Sequence, residues 1–202
     1  MHHRPSLLDS ALRLSYLTIA WNGVVGAAAL IVAFATASLV MAGFALNALL
    51  DSAASVVLVW RFTHERRNPD AAERVERRAQ RLIGVAMVGI GTYVGVQASR
   101  ALADGSHSTT SAFGVALAAV SLVVLPLLSV RKLRVASRLN SPALRGDAVL
   151  TLAGAGLAAI TLVALVASSV LGWWWADPLA ALLIAAALAT EGTRVLVRHR
   201  FG

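Results

Sequence analysis

The chain alternates between long apolar stretches and short polar ones, and neither strict two-residue alternation nor a narrow helical stripe dominates it. Six of the apolar runs are long enough to cross a bilayer as a helix, which takes about 20 residues. They cover roughly residues 14–36, 39–60, 82–103, 112–130, 143–170 and 177–197. The pattern therefore predicts an all-α, polytopic membrane protein whose 202 residues form a single domain of six transmembrane helices.

Composition agrees with a membrane protein and narrows its chemistry. Charged residues make up only 14% of the chain, whereas a soluble domain carries about 25%. The chain has no cysteine, which excludes disulfides, thiolate zinc sites and thiol catalysis. No small-residue cleavage site follows a short apolar core at the N-terminus, so we expect run 1 to be a retained helix and not a signal peptide.

The basic residues cluster on one side of the predicted bundle. With the exception of Arg100, the 18 lysines and arginines lie before run 1, between runs 2 and 3, between runs 4 and 5, or after run 6, with Arg145 in the first residues of run 5 and Arg194 in the last residues of run 6. Lys132 is counted with the segment between runs 4 and 5. The positive-inside rule places both termini in the cytoplasm, and we expect a bacterial-type cytoplasmic membrane. The net charge of +8 does not indicate nucleic-acid binding, because these residues flank apolar runs and form no patch with interleaved aromatics.

Small and aromatic residues suggest how the helices pack and where they end. Gly91 and Gly95 form a GxxxG pair, which is typical of closely approaching helices. The partner helix belongs either to the same chain or to a second copy, and a C2 homodimer through the membrane helices is the expected assembly. The tryptophans at 173–175 lie between runs 5 and 6, where an interfacial aromatic belt is expected.

Four carboxylates lie within the apolar runs. Asp177 precedes Pro178 at the start of run 6, so we expect it to cap that helix. Glu191 is one turn from Arg194 and is expected to pair with it near the inner interface. Asp51 and Asp147 differ, because neither has an evident partner at helical spacing in its own run. A bare carboxylate in a bilayer costs a few kcal/mol or more, so both are candidate functional residues.

Asp51 and Asp147 each have a second oxygen-bearing residue one turn away. Asn47 precedes Asp51 by four residues, and Thr151 follows Asp147 by four. Two carboxylates, an amide and a hydroxyl on facing helices would form a divalent-cation site. Protons and a metal would compete for the same groups, which is the basis of metal/proton antiport. Asp51 lies near the middle of its run and Asp147 near the start of its own, so they meet only through helix tilt or a cytoplasmic cavity.

Three stretches resemble the cation diffusion facilitator family: FALNALLDSAASVVLVWRF, SPALRGDAVLTLAGA and GWWWADPLAALLIAA. The chain is most similar to compact members, a branch that includes vesicular zinc-efflux transmembrane proteins. The resemblance implies six spans with cytoplasmic ends, and a transport site of two residues four apart on span 2 and two on span 5. Those positions are Asn47 with Asp51, and Ala143 with Asp147. The family's cytoplasmic metal-binding C-terminal domain is expected to be absent.

Two of these positions depart from the family pattern, in which Asp or His precedes each Asp. Asn47 replaces an ionisable ligand, and Ala143 replaces a ligand altogether. We therefore expect no tetrahedral zinc site containing histidine. Thr151, a water or a backbone carbonyl would complete the shell, and an oxygen-rich site suits harder or larger ions. We expect the five histidines to be solvated, with two of them able to assist metal uptake. The five are His2, His3, His64, His107 and His199, and the two are His64 and His199.

The leading hypothesis is a divalent transition-metal transporter that exports zinc in exchange for protons by alternating access, with Mn²⁺, Fe²⁺, Co²⁺ and Cd²⁺ as other cargoes. The alternative is a non-transporting membrane scaffold or metal sensor with a degenerate site, which Asn47 and Ala143 favour. We do not expect an enzyme, since no nucleophile–base pair or metalloprotease motif occurs. The expected partners are the cation, protons, the lipid bilayer and a second copy, and no cofactor is expected beyond the transported ion.

Overall fold

Six long α-helices make up the described part of the chain. The computed structural model describes residues 4–64 and 69–198, and contains no strand within them. The helices are α1 (Arg4–Thr36), α2 (Leu39–His64), α3 (Pro69–Asp104), α4 (Ala112–Leu139), α5 (Pro142–Leu171) and α6 (Ala176–Arg198). Each contains a stretch long and apolar enough to cross a membrane. The prediction of an all-α, six-helix membrane architecture is therefore confirmed.

Several helices extend well beyond the apolar runs that predicted them. Helix α1 begins at Arg4, α3 begins at Pro69, and α4 continues to Leu139. Polar residues such as arginine and glutamate have good helix propensity, so the backbone hydrogen-bond ladder continues past the end of the apolar run. As a result, the basic segment after run 4 is the last part of α4 and not a loop.

The connection between α4 and α5 is short because both helices are capped by the intervening residues. Asn140 adopts the left-handed conformation at the end of α4, with φ 51°. The Ser141 side chain then accepts a hydrogen bond from the backbone N–H of Leu144 at the start of α5, where Pro142 occupies the first turn. These are favourable residues at a helix C-cap, N-cap and first helical position. The two helices therefore pack side by side and run in opposite directions.

Helices α3 and α6 approach each other through glycines. A Cβ atom on Gly91 would lie 2.8 Å from the backbone oxygen of Ala185, and one on Gly192 would lie 2.8 Å from that of Gly84. At Gly95 a Cβ would be in ordinary contact with Ala185, at 3.5 Å. The GxxxG pair thus packs against α6 of the same chain. The C2 homodimer remains a prediction.

Asp177 caps a neighbouring helix instead of its own, which corrects the sequence prediction. Its carboxylate accepts hydrogen bonds from the backbone N–H groups of Leu39, at 2.9 Å, and Val40, at 3.3 Å, and from the Ser38 hydroxyl. The amides at the start of α2 lack intrahelical acceptors, and a negative charge there is favourable. Helices α2 and α6 consequently begin at the same end of the bundle and run parallel.

The interior combines a large apolar core with a compact polar layer. The apolar core includes Phe44, Met41, Ile184 and Leu188, all buried. The polar layer lies among α1, α2, α4 and α5, and its buried members are Asn22, Asp51, Ser55, Ser129, Lys132, Asp147 and Thr151. Because such groups are costly inside a membrane protein unless they are paired, their contacts define the candidate site.

Candidate cation site

Asp51 has one carboxylate oxygen with a hydrogen-bond donor and one without. The side chain is 8% exposed and lies near the middle of α2. Its Oδ2 accepts a hydrogen bond from the amide nitrogen of Asn22 on α1. Its Oδ1 is buried and has no hydrogen-bond partner among the described residues. A buried carboxylate oxygen without a donor is unfavourable, so Asp51 is suited to receive a cation at that oxygen.

A cavity of about 140 Å³ lies beside Asp51 and contains Asn47 in its wall. The remaining wall is mostly apolar and comes from α2, α3, α5 and α6: Leu50, Ala54, Ile83, Met87, Leu150, Ala153, Leu157, Ala187, Leu188, Thr190 and Glu191. Asn47 and Asp51 are thus brought together on one wall, as the sequence predicted from their spacing. The wall is therefore mostly apolar, with polar side chains at Asn47 and Asp51 and at Thr190 and Glu191.

The cavity wall includes Glu191, which lies nearer than Asp51 to the end of the bundle where α2 and α6 terminate. At about 1.5 Å per residue, Asp51 lies about 18 Å from the start of α2 and Glu191 about 22 Å from the start of α6. Since the two helices begin at the same end, Glu191 is nearer the opposite end, which is the predicted cytoplasmic side. Glu191 pairs with Arg194, as expected. Its position in the cavity wall was not predicted from the sequence.

Asp147 is already engaged by two other helices. It is 6% exposed, and its Oδ1 accepts a hydrogen bond from Ser55 of α2 at 2.8 Å. Its Oδ2 forms an ion pair with Lys132 Nζ of α4 at 2.6 Å. The sequence indicated no partner for Asp147 within its own run, and the partner comes from another helix. Lys132 was counted with the segment between runs 4 and 5, and α4 continues through it.

Lys132 is completely buried, with 0% exposure, although its neighbours Arg131, Arg134 and Arg138 are exposed. Its Nζ also donates a hydrogen bond to Thr151 Oγ1 at 3.1 Å. The sequence contained a signal for this position. Lys132 continues a helical stripe of small and apolar residues that are buried on α4, namely Ser121, Leu125, Leu128, Ser129 and Ala136. It is also the only lysine in the chain, among 17 arginines.

The register of α2 against α5 places the two carboxylates about one helical turn apart. Ser55 meets Asp147, and the amide nitrogen of Asn47 lies 3.7 Å from the position of a Cβ on Gly154. Between these two contacts, antiparallel helices bring Asp51 level with Thr151. Asp51 therefore lies about 6 Å from Asp147 along the helix axis. Asp51 still interacts electrostatically with both Asp147 and Lys132.

Neither Thr151 nor Ala143 lines the cavity beside Asp51. Thr151 is buried, and its hydroxyl donates to the backbone oxygen of Asp147 at 3.0 Å while accepting from Lys132. A cation would therefore meet Thr151 only where the lysine ammonium now lies. Ala143 packs against a separate apolar cluster that includes Leu58 and Leu144. Nothing in that cluster supplies a replacement for the ligand that Ala143 lacks.

His107, whose side chain the structure describes, belongs neither to the cavity wall nor to the buried polar layer. His107 is exposed and its ring contacts that of Trp174, with 5.6 Å between centroids. His2, His3, His199 and the side chain of His64 lie outside the described residues, as do Arg66, Arg67 and Arg200. Within the described residues, no group of three or more His, Cys, Asp or Glu side chains is arranged to hold a metal. The candidate ligands are therefore two staggered carboxylates with amide and hydroxyl neighbours.

Comparison with known proteins identifies the domain that contains this site. A family model described as "Cation efflux transmembrane domain" matches residues 15–199, which include every residue of the polar layer. No curated protein matches the chain significantly. The matched region extends from α1 to the end of α6. The buried polar groups therefore lie within the cation efflux transmembrane domain.

Proposed function

Since this chain belongs to the cation efflux, or cation diffusion facilitator, family, we propose that it exports a divalent transition metal, zinc first, in exchange for protons. Members of the family are transporters that move divalent metal cations, and the chain is an integral membrane protein with six apolar helices. The choice of zinc, the proton coupling and the site residues are parts of this proposal.

The observation that carries the proposal is Asp51, which lines the cavity and whose buried Oδ1 has no hydrogen-bond donor among the described residues. Asn47 in the same wall supplies an amide oxygen as a neutral ligand. Asp147 and Thr151 would join the coordination shell when the Lys132 ammonium withdraws. Carboxylate, amide and hydroxyl oxygens form an all-oxygen set, so Mn²⁺, Fe²⁺, Co²⁺ and Cd²⁺ belong in any test of cargo beside Zn²⁺.

The two ends of the bundle support transport by alternating access. The cavity wall contains both Asp51 and Glu191, and Glu191 lies nearer the predicted cytoplasmic end. At the opposite end, Asp177 of α6 holds the start of α2 through two backbone amides and the Ser38 hydroxyl. This arrangement suits a state that is accessible from the cytoplasm and closed on the other side. Release of the metal would then require the start of α2 to separate from α6.

Metal flux in liposomes tests the proposed site. Purified protein is reconstituted with a metal-sensitive dye and a pH-sensitive dye in the lumen, and a Zn²⁺ gradient is applied. We expect Zn²⁺ uptake with opposite proton movement, and loss of both in Asp51→Asn. Asp104→Asn is the matched control, because it makes the same change at an exposed carboxylate at the end of α3. Equal flux in Asp51→Asn and Asp104→Asn would show that the site is elsewhere.

A scaffold or metal sensor is the second candidate function, and two observations favour it. Lys132 holds Asp147 in an ion pair, and Ala143 packs in an apolar cluster where the family pattern has a ligand. Calorimetric titration of the detergent-solubilised protein separates the candidates. A sensor binds metal but gives no flux in liposomes, and a scaffold gives neither.

A further inference from the structure

We propose that Lys132 is a tethered competitor of the transported metal: its ammonium holds Asp147 when the site is empty and withdraws when the metal enters. This inference rests on the proposed function and adds regulation of the same site by the chain's own lysine. Lys132 belongs to none of the ligand positions that the sequence indicated.

The contacts of Lys132 place its ammonium at the position of a cation. Nζ lies 2.6 Å from Asp147 Oδ2 and 3.1 Å from Thr151 Oγ1, and both of those residues are proposed ligands. The lysine is fully buried. A charged lysine is costly inside a membrane protein unless it is paired, so the ion pair keeps both charges satisfied in the absence of metal.

The ammonium and a metal would compete for Asp147 Oδ2. Two cations a few ångströms apart repel strongly where the effective dielectric constant is low. Asp51, Asp147 and Lys132 together carry a formal charge of −1, so a divalent ion would convert the cluster to +1. Withdrawal of the ammonium relieves that repulsion and frees both Asp147 and Thr151 for the metal.

The location of Lys132 provides a direction for this withdrawal. It lies in the last part of α4, seven residues before the helix ends at Leu139. The lysine side chain is a flexible four-carbon stem, and such chains can extend to carry the charge toward the membrane interface. The neighbouring segment of α4 is exposed at Arg131 and Arg134. Extension of the Lys132 stem would carry Nζ toward the inner end while the helix stays in place.

A purely structural ion pair makes different predictions. If Lys132 only neutralised Asp147, its ammonium would stay in place when metal binds elsewhere in the cavity, and its removal would not tighten metal binding. If Lys132 competes with the metal, its ammonium changes environment on binding, and removal of the ammonium increases affinity. Both differences can be measured without transport.

The wild-type protein allows a direct test, because Lys132 is the only lysine in the chain. Full-length protein is produced with lysine labelled with carbon-13 at Cε, placed in nanodiscs and titrated with Zn²⁺. We expect one lysine Cε resonance, which shifts with the same midpoint as metal binding measured by calorimetry. Binding with an unmoved resonance would overturn the inference and leave the proposed function intact. Absence of Zn²⁺ binding in calorimetry would overturn the proposed function, and the inference with it.

Substitutions provide the second test, with Zn²⁺ affinity as the readout. We expect Lys132→Met to lower the dissociation constant on the order of tenfold, and the gain to vanish in the Asp147→Asn background. Lys132→Arg should weaken binding, because a guanidinium holds a carboxylate through two hydrogen bonds. Arg131→Met is the matched control, since it removes one positive charge at the adjacent exposed position. Equal affinity in Lys132→Met and Arg131→Met would contradict the competitor role.

Discussion

Ser55 of α2 donates a hydrogen bond to Asp147 of α5 at 2.8 Å, and this contact fixes the register of the two helices that carry the candidate ligands. Asp147 is consequently one turn nearer than Asp51 to the end where α2 terminates. The two carboxylates interact electrostatically without sharing a common level. A single ion that binds both must bridge this stagger, which requires the part of the site now occupied by the Lys132 ammonium.

Ser55→Ala tests the importance of that register. The substitution leaves Asp147 Oδ1 without its donor, and hydrogen bonds to charged groups contribute about 1.5–3 kcal/mol. We therefore expect a lower midpoint of thermal unfolding in detergent and weaker Zn²⁺ binding. Ser99→Ala is the control, because Ser99 is exposed and its hydroxyl donates to the backbone oxygen of Gly95 in its own helix. A midpoint no lower than that of Ser99→Ala would mean that Ser55 does not hold Asp147 in place.

Asn47→Asp is expected to raise the affinity for Zn²⁺ relative to Mn²⁺. The change adds a carboxylate to the cavity wall one turn from Asp51. Without metal, the two negative charges repel and the protein should unfold at a lower temperature. With metal, the repulsion is relieved and the stabilisation by Zn²⁺ should exceed that of wild type.

The measurement for Asn47→Asp is thermal unfolding with and without each metal. Asn140→Asp makes the same change at an exposed residue between α4 and α5 and serves as the control. If metal stabilises Asn47→Asp no more than it stabilises Asn140→Asp, Asn47 is not close enough to the bound ion to be a ligand.

The membrane architecture was predictable from the sequence because apolar runs of bilayer length leave few alternative structures. The local pairing of Asn47 with Asp51 was also predictable, since residues four apart on a helix share a face. In the structure, Asn47 and Asp51 both line the cavity wall. Features that depend on the periodicity of a single helix could therefore be predicted from the sequence.

Contacts between different helices could not be predicted from the sequence in the same way. Lys132 was counted with the segment between runs 4 and 5 because hydropathy marks where the apolar run ends and not where the helix ends. The role of Asp177 at the start of α2 depends on how α6 packs, and no local pattern contains that information. Asn22, which donates to Asp51 from α1, was missed for the same reason. Each of these contacts joins distant parts of the sequence.

Gly91→Ala should destabilise the packing of α3 against α6. The new methyl group would lie 2.8 Å from the backbone oxygen of Ala185, so the helices would have to separate. Overpacking of this kind costs about 1–3 kcal/mol. Gly89→Ala is the control, since a Cβ there meets nothing within 4 Å. Thermal unfolding in detergent should show a lower midpoint for Gly91→Ala alone, and equal midpoints would refute the close α3–α6 approach.

Asp177→Ala should destabilise the start of α2. The change removes the acceptor for the Leu39 and Val40 amides, and loss of a helix cap costs about 0.5–2 kcal/mol. Asp177→Asn keeps an oxygen acceptor but loses the charge, so its unfolding midpoint should fall between wild type and Asp177→Ala. The same order should hold for hydrogen exchange of the first α2 amides. Unchanged exchange in Asp177→Ala would contradict the capping role.

Glu191→Gln tests whether the cavity is the path of the metal from the cytoplasmic side. Glu191 places a carboxylate in the cavity wall beyond Asp51, and a negative charge at the mouth of a cleft raises the local concentration of cations. We expect a KM for Zn²⁺ several-fold higher and an unchanged maximal rate in liposome flux, since the charge acts on capture and not on the binding site itself. The difference from wild type should shrink as ionic strength rises, because salt screens the attraction.

Arg194→Gln is the opposite test, because it removes the cation that pairs with Glu191. We expect this variant to have a lower KM for Zn²⁺ than wild type. A change in maximal rate with unchanged KM in Glu191→Gln would place this carboxylate in a later step than capture.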